Sequence, residues 1–387
     1  MTHLVPIGNQ PRDYAWGIPG GISHLLGGEA TERPEAELWL GAHPLSPSQV
    51  KTDAPFADLA DWERRSGDRL PFLLKILAAS SALSLQAHPT PADAAAGFAR
   101  EEAAGVPRDA PHRNYRDPFA KPELIVALED GFEALCGFRV AESAATDLDA
   151  LAGLAADPRP YRWWSSLLRG PEGIRSAFEW LMGRDSLVER LVAGFVDDAS
   201  QLPERFAHLL RLANQYPDDP GVLVALMLNH VTLRAGECLW LPAGNIHAYL
   251  RGVGVELMGP SDNVLRGGLT PKHVDVPELL RVLDFSGGPA PYLRPEDAGP
   301  RDRVYRPAST TSGADVPFRL HAITGNAAIQ TASPAIAIAT AGAFDLRVGS
   351  EQSRVERGDA VFVTGPAALD VEGEGELFLA DAAAVGS

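Results

Sequence analysis

Residues 142–215 carry apolar side chains at helical spacing, and the sequence on either side does not. Leu148, Leu151 and Leu154 recur at this spacing, as do Ile174, Phe178 and Leu181, and then Phe206, Leu209 and Leu210. That is the pattern of helices with one face on a core. Before and after, short apolar runs are punctuated by Gly and Pro, as in strands and turns. Glu37–Gly41, Leu70–Leu77 and Lys121–Leu128 read as strands ahead of the helical stretch. Leu223–Leu228, Thr232–Leu233, Cys238–Leu241 and Ala248–Met258 read as strands after it. The pattern predicts a mainly β fold interrupted by an α-helical insert. Pro277–Leu283 reads as a short helix, and a Pro/Gly-rich linker from Ser286 to Pro300 leads to a last all-strand stretch. Thr90-Pro91-Ala92-Asp93 offers a capping hydroxyl, a proline at the first helical position and a carboxylate two residues on, so a helix is expected from there to about Gly105. His208 lies among apolar helix positions and reads as a packing residue.

An internal repeat refines the architecture. Gly236 to His247 fits G-x5-P-x-G-x2-H, and Gly358-Asp359-Ala360-Val361-Phe362-Val363-Thr364 starts the same way. The second copy has Thr364 in place of Pro242 and Leu369 in place of His247. The shared part predicts a strand entering a tight turn in two related β-barrels. Loss of the histidine predicts that the second barrel holds no metal.

The chain has 387 residues and a formal charge of −17, long enough for two to three domains. An acidic balance argues against nucleic acid or an anionic membrane as the main partner, because both reward basic surface. Any anionic ligand must then be held by a local basic pocket. No apolar run approaches the ~18 residues of a membrane span, and Met1–Gln10 lacks a signal-peptide core. A soluble, cytoplasmic protein is expected, with Cys136 and Cys238 as buried free thiols.

Four side chains make a chemical constellation. Gln86 and His88 stand two apart in an extended segment and so point the same way. Glu123 opens another strand, and His247 closes the Gly236 motif. Two imidazoles, a carboxylate and an amide oxygen can bind one divalent metal, leaving a net positive Lewis acid. A second dense patch runs from Ser261 to Lys272 (SDNVLRGGLTPK). Gly267 and Gly268 free the backbone beside Arg266, and Arg266 and Lys272 can hold phosphate or an oxyanion. The alternative for that patch is a solvated turn with an ordinary salt bridge.

With these blocks in order, the chain resembles the class I mannose-6-phosphate isomerases, zinc-dependent enzymes of the cupin superfamily. The resemblance rests on Tyr14-Ala15-Trp16-Gly17, Glu37 to Pro44 (ELWLGAHP), Pro71 to Leu77 (PFLLKIL), Ser84 to Pro89 (SLQAHP), Asn114-Tyr115-Arg116-Asp117, Lys121 to Leu124 (KPEL), Leu241 to Tyr249 (LPAGNIHAY) and the Ser261–Lys272 patch. It covers residues 12 to about 280. It implies two cupin-like jelly-roll barrels: a catalytic one from residues 1–141 and 216–285 with the helical insert 142–215, and a metal-free one in 286–387.

The resemblance also implies one Zn2+ per chain on Gln86, His88, Glu123 and His247, and an active-site arginine at Arg266. It implies a sugar-phosphate pocket lined by Glu37, Lys75, Ser84, Lys121, Tyr249, Asp262 and Lys272. The implied reaction is reversible isomerisation of D-mannose 6-phosphate to D-fructose 6-phosphate through a cis-enediol(ate). Lys121 and Glu256 are the candidate proton-transfer residues, and Lys75, Ser84 and Lys272 the candidate phosphate contacts. The expected partner is a small sugar phosphate, and the expected state a monomer. One departure stands out: many relatives have histidine before the Lys-Pro-Glu triplet, where this chain has Ala120. An Fe(II) cupin oxygenase and a non-catalytic sugar-binding cupin are the competing readings.

Overall fold

Strand His247–Met258 organises the first of two ten-stranded antiparallel sheets in a computed structural model that describes residues 3–29, 31–308 and 316–382. Its second half lies between Leu73–Ala79 and Glu123–Ala127, with Glu256 opposite both Lys75 and Ile125. Its first half pairs with Leu85–Ala87 and Phe132–Phe138, with His247 opposite Gln86 and Cys136. Gly254 to Met258 is buried throughout, which explains a continuous apolar run in place of strict alternation. The register shifts between Tyr249 and Arg251, and Gly252 follows at φ 117°. This bulge resets the two-residue alternation, so that His247 and Glu256, an odd number of residues apart, both reach the same polar interior.

The second sheet draws on both ends of the chain. Leu4–Gly8 pairs with Ala360–Val363 and with Gln49–Val50, so sheet membership crosses the boundary expected between the first unit and the last. Ala335–Val348 is one long strand paired along most of its length with Ala368–Asp381. Gly236 and Gly358, which open the two copies of the repeat, both have φ in the left-handed region, 80° and 91°. Leu369 is buried among Val371, Leu377 and Leu379.

Between the sheets' sequences, helices run from Ala141–Ala152 to Pro203–Gln215. They share a core that includes Trp164, Phe178, Leu191, Phe195 and Leu209. The helix capped by Thr90 spans Pro91–Ala103. With ten helices and two large sheets among the described residues, the fold is mixed α/β, a correction to the mainly β expectation. Leu223–Leu228 is a second correction: Gly221–Leu226 is a helix. Every residue of that helix is buried, and a short run apolar on all sides carries no period that tells helix from strand. The linker also contains two short strands, Tyr292–Leu293 and Glu296–Gly299.

His208 lies on the last long helix and stacks on His230 of strand Leu228–Leu233, ring centroids 4.1 Å apart and planes 3° from parallel. Glu133, Arg211, Arg139 and Arg251 are the charged neighbours of the pair. Burial lowers both imidazole pKa values, that of His208 to about 3, with the neighbouring cations adding to the effect. The His208 ring is therefore neutral when folded, whereas in the unfolded chain it takes up a proton below ~6.5. Stability should fall as pH drops from ~6.5 toward 3, because the unfolded state then binds more protons. His208→Phe should remove about 1–2 kcal/mol of the loss between pH 6.5 and 5, read as a flatter Tm-against-pH curve than the wild type.

Candidate metal centre and cationic pocket

His88, Glu123 and His247 are buried, and one ligating atom from each lies within 4.8 Å of the others. Glu123 enters from the start of its strand and places Oε1 3.3 Å from Nε2 of His88 and Oε2 3.3 Å from Nε2 of His247. Both imidazoles are set by backbone carbonyls: Nδ1 of His88 donates to Asn263 O at 2.8 Å, and Nδ1 of His247 to Asn245 O at 3.0 Å. These bonds fix the tautomer that leaves the Nε2 lone pairs free toward Glu123. Nε2 of His88 and Oε2 of Glu123 are buried with no hydrogen-bond partner. Two such atoms side by side are costly unless a cation joins them, so the residues fit a divalent metal. Gln86 lies alongside, its amide nitrogen 3.3 Å from Nε2 of His247.

Burial lowers the His88 pKa to about 4 against the opposing pull of Glu123, keeping the ring neutral. Burial alone would raise the pKa of Glu123, but the Lys121 ammonium and the imidazoles outweigh it and hold the carboxylate ionised. Nζ of Lys121 is 3.0 Å from Oε1 of Glu123.

Lys121 also lines a cavity of about 260 Å³, with Glu37, Lys75, Asp262, Arg266 and Lys272. The sequence therefore identified a set of residues that the fold brings together. Ser84 shares the face of Gln86 but is not among the residues lining this cavity, and neither are Tyr249 and Glu256. The Tyr249 hydroxyl is buried without a hydrogen-bond partner, and burial raises its pKa, with the carboxylates of Glu256 and Glu123 adding to the effect. Lys75 is held between Glu256 (3.0 Å) and Glu37 (3.4 Å). Burial alone would lower its pKa, but these carboxylates and Glu123 raise it. Burial raises the pKa of Glu256, partly offset by Lys75 and reinforced by Glu123 and Glu37. Ala120 lines a different cavity, with Phe119, Pro122, Trp240 and Pro260.

Sequence reasoning missed several lining residues. Trp39 and His43 pack edge to face at 4.8 Å, Trp39 Nε1 donates to Glu37, and His43 Nε2 is 3.3 Å from Asp262. Arg113 and Arg116 also line the cavity. Asn263 is fully buried and ties the centre together. Its Oδ1 accepts from the backbone N–H of Arg116 (2.8 Å) and Asp117 (3.3 Å), and its Nδ2 donates to the carbonyls of Asp117 (2.7 Å) and Phe119 (2.9 Å). The clue to Trp39, His43, Arg116 and Asn263 was their presence in the family-like blocks, since spacing says nothing about a contact spanning more than 140 positions; Arg113 lies in none of the blocks.

A buried His–Glu–His group opening through a lysine onto a cationic cavity defines a candidate metalloenzyme for an anionic ligand. Residues 4–141 match the family model described as phosphomannose isomerase type I, catalytic domain. The chain is 35% identical over 390 residues to the mannose-6-phosphate isomerase of Escherichia coli (strain K12), covering 95% of this chain and 97% of that protein. It is 32% identical over 402 residues to the mannose-6-phosphate isomerase of Emericella nidulans, covering 89% and 85%. A zinc-bound crystal structure of mannose 6-phosphate isomerase is similar with a TM-score of 0.86 at 31% identity, over 99% of this chain and 100% of that one. The chain belongs to the type I phosphomannose isomerase family.

Asn263→Ala should cost about 2–4 kcal/mol, since it strips buried groups of four hydrogen bonds. It should also weaken metal retention, because the backbone carbonyl that orients His88 is carried by the same residue. Denaturant unfolding and metal content of the purified variant check both; unchanged values would show that the loop holds its shape without the side chain.

Proposed function

We propose that this chain catalyses the reversible isomerisation of D-mannose 6-phosphate to D-fructose 6-phosphate through a cis-enediol(ate), with one zinc ion per chain. The observation that carries the reading is the pair of unpartnered buried atoms, Nε2 of His88 and Oε2 of Glu123, beside a cavity rich in cations. Gln86, His88, Glu123 and His247 would hold the ion, Gln86 with its amide oxygen turned inward, a rotation of the terminal amide only. Bound there, zinc polarises or orients sugar oxygens.

The remaining work falls to the chain's own groups. Proton transfer between C2 and C1 needs an acid–base group within hydrogen-bond reach of the substrate. Lys121 is placed for it, since it lines the cavity and touches Glu123. Glu256 stands behind Lys75, and we assign it to setting the charge of the Glu37–Lys75–Glu256 cluster and, with its raised pKa, to exchanging protons with it. Asp262 and Glu37 shape the sugar-facing wall, and Tyr249 packs behind it, buried. The cavity to which Ala120 belongs is separate, which supports a mechanism independent of any side chain at that position.

Arg266 lines the cavity, and no carboxylate lies within ion-pair distance of it among the described residues. We assign it to the negative charge that develops on the enediolate, which neither sugar carries. We further read the two sheets as closing into two cupin-like barrels, the catalytic one chiefly from 1–141 and 216–285, the helical insert at 142–215, and the metal-free one chiefly in 286–387, with Leu4–Gly8 and Gln49–Val50 joined to its sheet. Among the described residues no helix is long and apolar enough to cross a membrane. A cytoplasmic monomer is the working assignment.

A coupled assay on mannose 6-phosphate, with elemental analysis of the same sample, tests the reading. Activity should be lost on chelation and return with zinc, at one zinc per chain; stoichiometric iron without zinc would favour an oxygenase. Arg266→Ala should lower kcat on the order of 10²–10³, with KM changing far less and zinc retained. A large rise in KM with kcat intact would instead make Arg266 a phosphate anchor.

A further inference from the structure

Six cationic side chains line the cavity beside the metal centre, and they fall into two groups. Lys75 is paired with Glu37 and Glu256, Lys121 with Glu123, and Arg113 with Glu101 (3.5 Å) and Glu102 (2.6 Å). Arg116, Arg266 and Lys272 have no carboxylate within 4.0 Å among the described residues. These three also repel one another: beyond burial, Arg116 lowers the pKa of Arg266, and Arg266 and Arg116 lower that of Lys272. Like charges around one cavity, offset for Arg116 only by the Asp262 carboxylate beyond ion-pair distance, raise the energy of the empty protein, and a dianion with several acceptor oxygens relieves them.

Resting on the isomerase reading, we propose that Arg116 is a specificity-determining residue that, together with Lys272, binds the phosphate group of the substrate. Lys75, already neutralised, does not take that role. Arg116 is exposed at its side chain but not loosely placed. Its backbone N–H is held by Asn263, and the next residue, Asp117, accepts from Ser261 Oγ and the Asp262 N–H at 2.8 Å each. The loop bearing Arg116 is thus fastened to the segment bearing Asp262 and Arg266, so the backbone that carries the guanidinium keeps its place at the cavity. A guanidinium offers paired N–H donors that match phosphate oxygens. The acidic net charge of the chain makes such a local, unpaired group necessary for an anionic substrate.

The test has two arms. Steady-state kinetics of Arg116→Gln on mannose 6-phosphate should show KM raised about tenfold or more with kcat within about threefold, and Arg116→Lys should recover part of the loss. Calorimetric titration of wild type and Arg116→Gln with inorganic phosphate should show binding weakened about fivefold or more, with zinc content and Tm unchanged. Unchanged KM and unchanged phosphate affinity overturn the proposal, as does a fall in kcat at constant KM. A wild type that binds phosphate through Arg116 yet does not isomerise the sugar would overturn the isomerase reading and leave the phosphate site standing.

Discussion

Glu123 is a carboxylate with 1% of its surface exposed, and much of the surrounding structure serves to make its charge tolerable. Taking an isolated carboxylate out of water costs several kcal/mol even after relaxation. Here an ammonium and two imidazoles surround it, and one of its oxygens still lacks a hydrogen-bond partner. A buried anion with spare coordination and two neutral nitrogen lone pairs beside it is a site built for a cation. Because Glu123 opens a central strand, and His247 opens the neighbour of that strand, the geometry is set by sheet register more than by flexible side chains.

The metal centre and the substrate cavity share one support. Asn263 presents its backbone carbonyl to His88 and its side-chain amide to the loop of Arg116 and Asp117, so the orientation of a candidate ligand and the position of a cavity cation are coupled through one buried residue. The Glu37–Lys75–Glu256 cluster forms a second support on the facing strands. Burial is the main reason Glu256 holds its proton more readily than an exposed glutamate, with Glu123 and Glu37 reinforcing it and Lys75 opposing it. The same cavity is lined by the three cations without carboxylate partners, so an anionic ligand group finds unpaired positive charge there.

Residue pattern located the helical segment because its apolar positions recur over many turns. It located the helix after Thr90 because capping is a local interaction. It failed at Gly221–Leu226, where burial on every side erases the period, and at Leu4–Gly8, whose partner strand lies more than 350 positions away. The candidate metal ligands were legible for a narrower reason: Gln86 and His88 stand two apart in an extended segment, and the blocks around Glu123 and His247 resemble a known family.

By itself, then, the sequence determined the helical insert, the strand-rich flanks, the residue types able to hold a divalent metal and the need for a local basic pocket in an acidic chain. Only the tertiary structure decided which cations are spent and which are free. Lys75 and Arg116 look equivalent as letters, yet one lies between two carboxylates and the other has none within ion-pair distance among the described residues. That difference arises from strand pairing and loop contacts across large sequence separations, and local pattern cannot encode it. The bulge after Tyr249 is of the same kind, since a single extra residue decides whether Glu256 faces the site or the opposite side of the sheet.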